Sequence, residues 1–150
     1  MIEAGTPAPD FSLPDQDGNM VSLGDFADRS LVLSFYPLDF SPRCSDQLSV
    51  YQEVLGEIES KGAALVGVSV DSAYCHRAFR RHLNLTMPLL ADFHPKGAMS
   101  REYGAFQDDF GTTNRSLVLV EDGTVRWSYA TSSVKEIPGA NLIFDALERS

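Results

Sequence analysis

The chain has two cysteines, and Cys44 has the more telling surroundings. It closes the segment Tyr36-Pro37-Leu38-Asp39-Phe40-Ser41-Pro42-Arg43-Cys44. Ser41 is a good helix N-cap, and Pro42 then falls at the first helical position, which proline favours. That start puts Cys44 at the third residue of a helix. Unpaired N–H groups and the positive end of the helix dipole lie there. Both favour a thiolate, the reactive form of cysteine, and Arg43 adds a positive charge nearby. The competing reading is a small buried hydrophobe in line with Leu48 and Tyr51, as free cysteines often are. The cap–proline–cysteine order favours the reactive one.

Cys75 is harder to read. It shares a side of its helix with Ala78, Phe79 and Leu83, where a buried structural cysteine belongs. It also follows a strand, as Cys44 does, so parallel pairing of the two strands would bring both cysteines to one edge of the sheet. Bridging them needs Cα atoms within roughly 7 Å, hence local unwinding. A disulfide is not expected at rest but is open after oxidation. Cys75 and His76 with His82 and His94 lack a recognised ligand spacing, so no metal is expected.

The elements that must hold these residues follow from periodicity. Phe11, Leu13, Val21 and Leu23 around Asp17-Gly18 predict a small N-terminal hairpin. Residues 31–36 and 63–70 are short apolar runs that predict buried strands. Leu48, Tyr51, Leu55 and Ile58 continue from Cys44 at helical spacing. A short helix is expected over 96–103, ended by Gly104. Residues 116–121 and 124–130 flank Asp122-Gly123 and predict a hairpin, with Val125, Trp127 and Tyr129 on one face. A closing helix is expected over 141–147. Strand–helix–strand order implies parallel neighbours with helices on the sheet faces, an α/β fold in one domain over 1–150.

Composition narrows the function. The 150 residues carry a net charge of −9, which disfavours nucleic acid or an anionic membrane as a partner. The run His76, Arg77, Arg80, Arg81 and His82 reads as a solvated helix face. The first residues show neither a basic nor an apolar leader region, and no apolar stretch reaches membrane-spanning length. A cytoplasmic setting with reduced thiols is therefore expected.

Pro37, Ser41 and Cys44 resemble the active-site signature of the peroxiredoxins, Pro-x-x-x-Thr/Ser-x-x-Cys. Gly5-x-Pro7-Ala8-Pro9-Asp10-Phe11-x-Leu13 resembles that family's opening. Ser69-Val70-Asp71-Ser72, with His76 and Phe79, is similar to its next strand–helix junction. Pro88-Leu89-Leu90-Ala91-Asp92-Phe93, then Gly97-Ala98, Tyr103 and Gly104, most resemble the alkyl hydroperoxide reductase E subgroup. The bacterioferritin comigratory protein group is second.

The resemblance implies a thioredoxin-like fold, with a central mixed β-sheet flanked by helices and an N-terminal β-hairpin. It implies a thiol-dependent peroxidase for hydrogen peroxide, organic hydroperoxides or peroxynitrite. Cys44 would be the peroxidatic cysteine and become a sulfenic acid. Arg115 would stabilise the thiolate and the charge shifting along the O–O bond. Ser41 would bond the thiolate or peroxide while capping the helix, and Pro37 would shield the pocket. The backbone N–H groups of Arg43 and Cys44 would hold the peroxide oxygens. Gln47 departs from the family pattern, which commonly has an acid there; it can still bond Arg115 but brings no charge.

By the same resemblance Cys75 is either a resolving cysteine or a bystander. In the second case an external thiol, from a thioredoxin-, glutaredoxin- or mycothiol-type system, would regenerate Cys44. No cofactor is implied, and a homodimer is. Phe40, Phe93 and Tyr103 are candidates for an exposed aromatic interface. A thioredoxin-type oxidoreductase would carry Cys-x-x-Cys, whereas here Ser41 takes the first place. The alternative from another class is a redox-sensing or chaperone-like interaction module on the same fold.

Overall fold

The structure, a computed structural model, describes residues 1–149. A small antiparallel hairpin of β1 (Ser12–Pro14) and β2 (Met20–Ser22) comes first. A 3-10 turn, Leu23–Phe26, then leads to β3 (Ser30–Phe35). Helices α1 (Pro42–Glu53) and α2 (Leu55–Ser60) follow, then β4 (Ala63–Ser69), α3 (Ala73–Leu83) and β5 (Leu89–Ala91). Next come α4 (Ala98–Glu102), the two-residue strands β6 (Phe106–Gln107) and β7 (Thr112–Thr113), β8 (Ser116–Glu121) and β9 (Thr124–Ala130). Helix α5 (Ala140–Arg149) ends the described chain.

The central sheet runs β5-β4-β3-β8-β9. β3 and β4 are parallel neighbours, as are β4 and β5, while β8 and β9 pair antiparallel. It is therefore a mixed sheet, and the carboxyl ends of β3, β4 and β5 share one edge with the start of β8. Alternation along the strands divides the core in two. Val32 and Leu65 face the helix-covered side with Leu48, Tyr51, Phe79 and Ile143. Leu31, Leu33 and Phe35 face the other, with Phe11, Phe26 and Met99. Burying a side chain such as Leu48 is worth roughly 1.5–3 kcal/mol, so these two faces fix the sheet between its layers.

Several elements differ from the sequence expectation. The helix after Cys44 breaks at Val54, whose φ of −106° and ψ of 7° leave helical geometry, although Leu55 and Ile58 stay buried. Strand β5 and the β6–β7 pair are additional, and too short to show a period. Val125 does not share a face with Trp127. The pairing shifts register between Leu119 and Val120, so Val125 joins the second core cluster while Trp127 packs on the first and stacks with Tyr129. A bulge of this kind turns every later side chain over. Among the described residues, no helix is long and apolar enough to cross a membrane.

Candidate active site

Strand β3 delivers Tyr36 and Pro37 to the carboxyl edge of the sheet, and five residues later α1 begins. Ser41 is the N-cap residue, Pro42 is at N1 and Cys44 is therefore the third helical residue. Cys44 is completely buried, as are its neighbours one and two turns on, Leu48 and Tyr51. Arg115, just before β8, reaches the same place from an antiparallel strand and is 2% exposed. Its Nη1 donates to Cys44 Sγ at 3.2 Å and to Gln47 Oε1 at 2.7 Å. Its Nε donates to the Val134 carbonyl at 2.9 Å.

Gln47 passes this connection on. Its amide donates to the Tyr51 hydroxyl at 3.1 Å, which donates to the Pro138 carbonyl at 2.7 Å. Burial pushes the Tyr51 phenol up to about 12, so it remains a hydroxyl and a donor. The arginine is thus aimed by a neutral amide and the 134–138 segment. No carboxylate forms an ion pair with it among the described residues. A buried guanidinium without an anion is costly. Gln47 carries no charge, so of the two side chains that Arg115 Nη1 bonds, only Cys44 can become an anion.

Ser41 does not cap the helix with its side chain. Its hydroxyl donates instead to the Leu38 carbonyl at 3.0 Å, because the loop folds that carbonyl back within reach. The amides of Arg43 and Cys44, which have no acceptor four residues back, are left uncapped by it. Pro37 is half-buried at the end of β3. Arg43 is exposed and donates to the Lys135 carbonyl at 3.2 Å. Sequence reasoning missed Val134 and Pro138, whose contributions are backbone carbonyls and leave no residue-type signal.

The structure corrects three further expectations. The buried stripe of α3 is His76 and Phe79 with Leu83 half-buried, and Ala78 is exposed. Cys75 is consequently one position off that stripe, beside acids rather than apolar groups. Its Sγ lies 3.7 Å from Asp71 Oδ1. Burial, then the charges of Asp39 and Asp71, push its thiol up to about 12. His76 is not part of a solvated basic face, because Asp39 and the Leu90 carbonyl satisfy its ring inside the protein. Tyr103 is buried, its hydroxyl donating to the Pro9 carbonyl, whereas Phe40 and Phe93 are exposed at 49% and 57%. Both cysteines are free. Asp39, Asp71 and Cys75 offer ligand atoms within 4.8 Å of one another, but their hydrogen bonds to one another and to His76 already occupy them.

A cysteine at a helix start after the first central strand, with a buried arginine on its sulfur, defines a thiol site on a thioredoxin-like sheet. The AhpC/TSA family model matches residues 4–128. Alkyl hydroperoxide reductase E of Mycobacterium tuberculosis is 34% identical over 130 residues, covering 85% of each chain. Chloroplastic peroxiredoxin Q of rice is 35% identical over 130 residues; these are 85% of this chain, and it spans 59% of the rice protein. The crystal structure of Enterococcus faecalis AhpC superposes with a TM-score of 0.91 at 24% identity, covering 99% of this chain and 92% of that one, a likeness of fold. The chain belongs to the AhpC/TSA family, the peroxiredoxin class of thiol-dependent peroxidases.

Proposed function

We propose that this protein reduces hydroperoxides through Cys44. The observation that carries this reading is the Arg115 guanidinium donating to a fully buried Cys44 sulfur at a helix start. The Cys44 thiolate attacks the terminal oxygen of ROOH. An S–O bond forms, the O–O bond breaks, and the alkoxide leaves with a proton from solvent as ROH. Cys44 keeps the OH as a sulfenic acid. Arg115 offsets charge as it moves from sulfur to the leaving oxygen, and the uncapped amides of Arg43 and Cys44 receive the peroxide oxygens. Ser41 shapes the loop through Leu38, and Pro37 bounds the site on the strand side.

Recycling in this reading uses an external thiol of a thioredoxin-, glutaredoxin- or mycothiol-type system. The state of Cys75 supports that choice over internal resolution. A thiol pushed up to about 12 is scarcely a thiolate near neutrality, and thiolates are what attack sulfenic acids. The reaction needs no metal or other cofactor, since sulfur and arginine supply its chemistry. A homodimer and a cytoplasmic, reducing setting complete the proposal. Exposed Phe40, Tyr74 and Phe93 support the first, and two free thiols the second.

Intact-mass spectrometry after one equivalent of hydrogen peroxide, with and without a sulfenic acid trap, tests it. The expected product is a persistent trapped adduct on Cys44, absent from Cys44→Ser and retained in Cys75→Ser. Rapid loss of two hydrogens mapped to Cys44–Cys75 would make Cys75 the resolving cysteine. No modification would remove the peroxidase reading in favour of an interaction module.

A further inference from the structure

Strand β5 covers only part of β4. It pairs with Gly67, Val68 and Ser69, and the residues before them have no strand on that side. The bonds already made identify the groups left over. Gly67 N–H donates to the Pro88 carbonyl, and the Ser69 carbonyl accepts from Asp92 N–H. Residues that bond one neighbour of a strand recur at every second position. The Leu65 N–H and the carbonyls of Leu65 and Ala63 therefore point the same way. The opposite side of β4 belongs to β3.

The chain leading into β5 is kept from meeting these groups. In the register of the ladder, Leu65 N–H would reach the Thr86 carbonyl, but Arg80 Nη2 donates to that oxygen at 2.7 Å. The Ala63 carbonyl would accept from Thr86 N–H, which instead donates to Gln52 Oε1 at 2.8 Å. The Leu65 carbonyl would face Pro88, which has no N–H. Between β4 and residues 86–88 lies a cleft of about 310 Å³. Phe26 walls it on one core face, and Leu55 and Met87 wall it on the other. Leu65 is only 2% exposed, yet on this side neither it nor Ala63 has a protein hydrogen-bond partner among the described residues. Buried backbone groups are nearly always paired, so these three are an unfilled requirement.

We infer that this cleft is a docking site for one extended segment of a partner polypeptide, added beside β4 as a short strand. What matches unpaired N–H and carbonyl groups at strand spacing is another backbone. One residue of the segment donates its N–H to the Ala63 carbonyl and accepts from Leu65 N–H. The residue two further on donates to the Leu65 carbonyl. Successive side chains then fall on Leu55 and Met87 or on Phe26, so the segment is apolar at consecutive positions. Glu59, exposed on the rim, forms no ion pair among the described residues, whereas Arg29 has Asp28 and the Phe26 ring. A Lys or Arg flanking the apolar residues complements Glu59. A second copy fits poorly, because its own β4 edge is recessed behind Leu55 and Thr86 in the same way. The cleft lies at the amino end of β4 and Cys44 at the carboxyl edge of the sheet, so the inference does not rest on the peroxidase reading.

The test uses the full chain and a capped hexapeptide, KVTVIK, followed by fluorescence anisotropy and by amide hydrogen exchange resolved at Leu65. A second peptide, N-methylated at its four central residues, keeps the side chains and removes the donors. In the free protein the Leu65 amide is expected to exchange faster than that of Gly67, which is paired. With free KVTVIK at about ten times its Kd, Leu65 exchange should slow about tenfold, as mass action requires. The N-methylated peptide should give no such protection. Glu59→Arg should weaken binding about threefold or more, the scale of an exposed charge pair.

Absence of saturable binding by KVTVIK would overturn the inference. Equal binding by the N-methylated peptide would reduce the cleft to an apolar pocket and overturn it too. So would Leu65 protection that grows with protein concentration alongside a dimer in sedimentation, because a second copy would then be the occupant. Unchanged affinity in Glu59→Arg would overturn the choice of a basic segment. Oxidation of Cys44 by hydrogen peroxide is expected at the same rate with peptide bound; a changed rate would place the peptide at the wrong end of the sheet. Failure of the free wild-type chain to oxidise at Cys44 would instead sink the peroxidase reading, and the binding result would still decide the cleft.

Discussion

The two strand–helix junctions that carry the cysteines are built alike. Each leaves a parallel strand of the same sheet, begins its helix at a serine N-cap, and places the cysteine at the third helical residue. They differ in everything around the sulfur. Ser72 caps α3, its hydroxyl accepting from the Cys75 amide at 3.2 Å, whereas Ser41 turns to the Leu38 carbonyl and leaves the Cys44 amide open. Arg115 donates to Cys44; Asp71 and Asp39 crowd Cys75. A helix start with its dipole is therefore not enough to activate a thiol. The charge that tertiary structure sets beside it decides, because a full charge at 3–4 Å in a poorly solvated site outweighs half a charge spread over the first turn.

The largest way to break this contrast is to remove the cation. Arg115→Ala should cut the rate of Cys44 oxidation by about 10²–10³, the scale of losing one preorganised donor. Arg115→Lys should recover only part, since one ammonium cannot serve Gln47, Val134 and the sulfur as the planar guanidinium does. Stopped-flow fluorescence of Trp127 or quenched mass spectrometry would read both. An unchanged rate in Arg115→Ala would remove the main difference between the junctions.

A pH profile sharpens the other side of the comparison. Alkylation of Cys75 by iodoacetamide, followed in Cys44→Ser, should stay slow through pH 9 and climb only as pH approaches about 12. The sign follows from the raised value. The folded state holds this proton more tightly than the unfolded chain does, so the linked stability is present below the ordinary thiol range, about 8.5, and is lost as pH rises towards about 12. Ready alkylation at pH 8 would mean that the acids do not control this thiol.

The smallest effect concerns the caps. Ser72→Ala should cost about 1 kcal/mol in chemical denaturation, as loss of a side-chain N-cap usually does. Ser41→Ala should cost less, because no capping bond is lost at α1. Equal costs would show that the two serines act alike.

Much of this was legible in the residues. The Ser41-Pro42-Arg43-Cys44 order gives the start of α1, and the Asp122-Gly123 turn gives β8 and β9, because caps and tight turns are local chemistry. The resemblance pointed to Arg115, and the structure brings it to Cys44. The α3 stripe misled, because a histidine took a core position that periodicity assigned to Cys75. Only partners distant in sequence, Asp39 and the Leu90 carbonyl, make a histidine tolerable there. The bulge at Leu119–Val120 and the backbone acceptors at Val134 and Pro138 were equally out of reach, since neither depends on a recognisable residue type.

The sequence by itself determined where the helices begin and that two cysteines stand at matching helix starts. Such features depend on neighbours a few residues apart. Only the tertiary structure decided which of them meets a cation and which meets acids. Arg115 lies 71 residues from Cys44, and Asp39 lies 37 from His76. Electrostatics acts through space, and the folded sheet sets those distances.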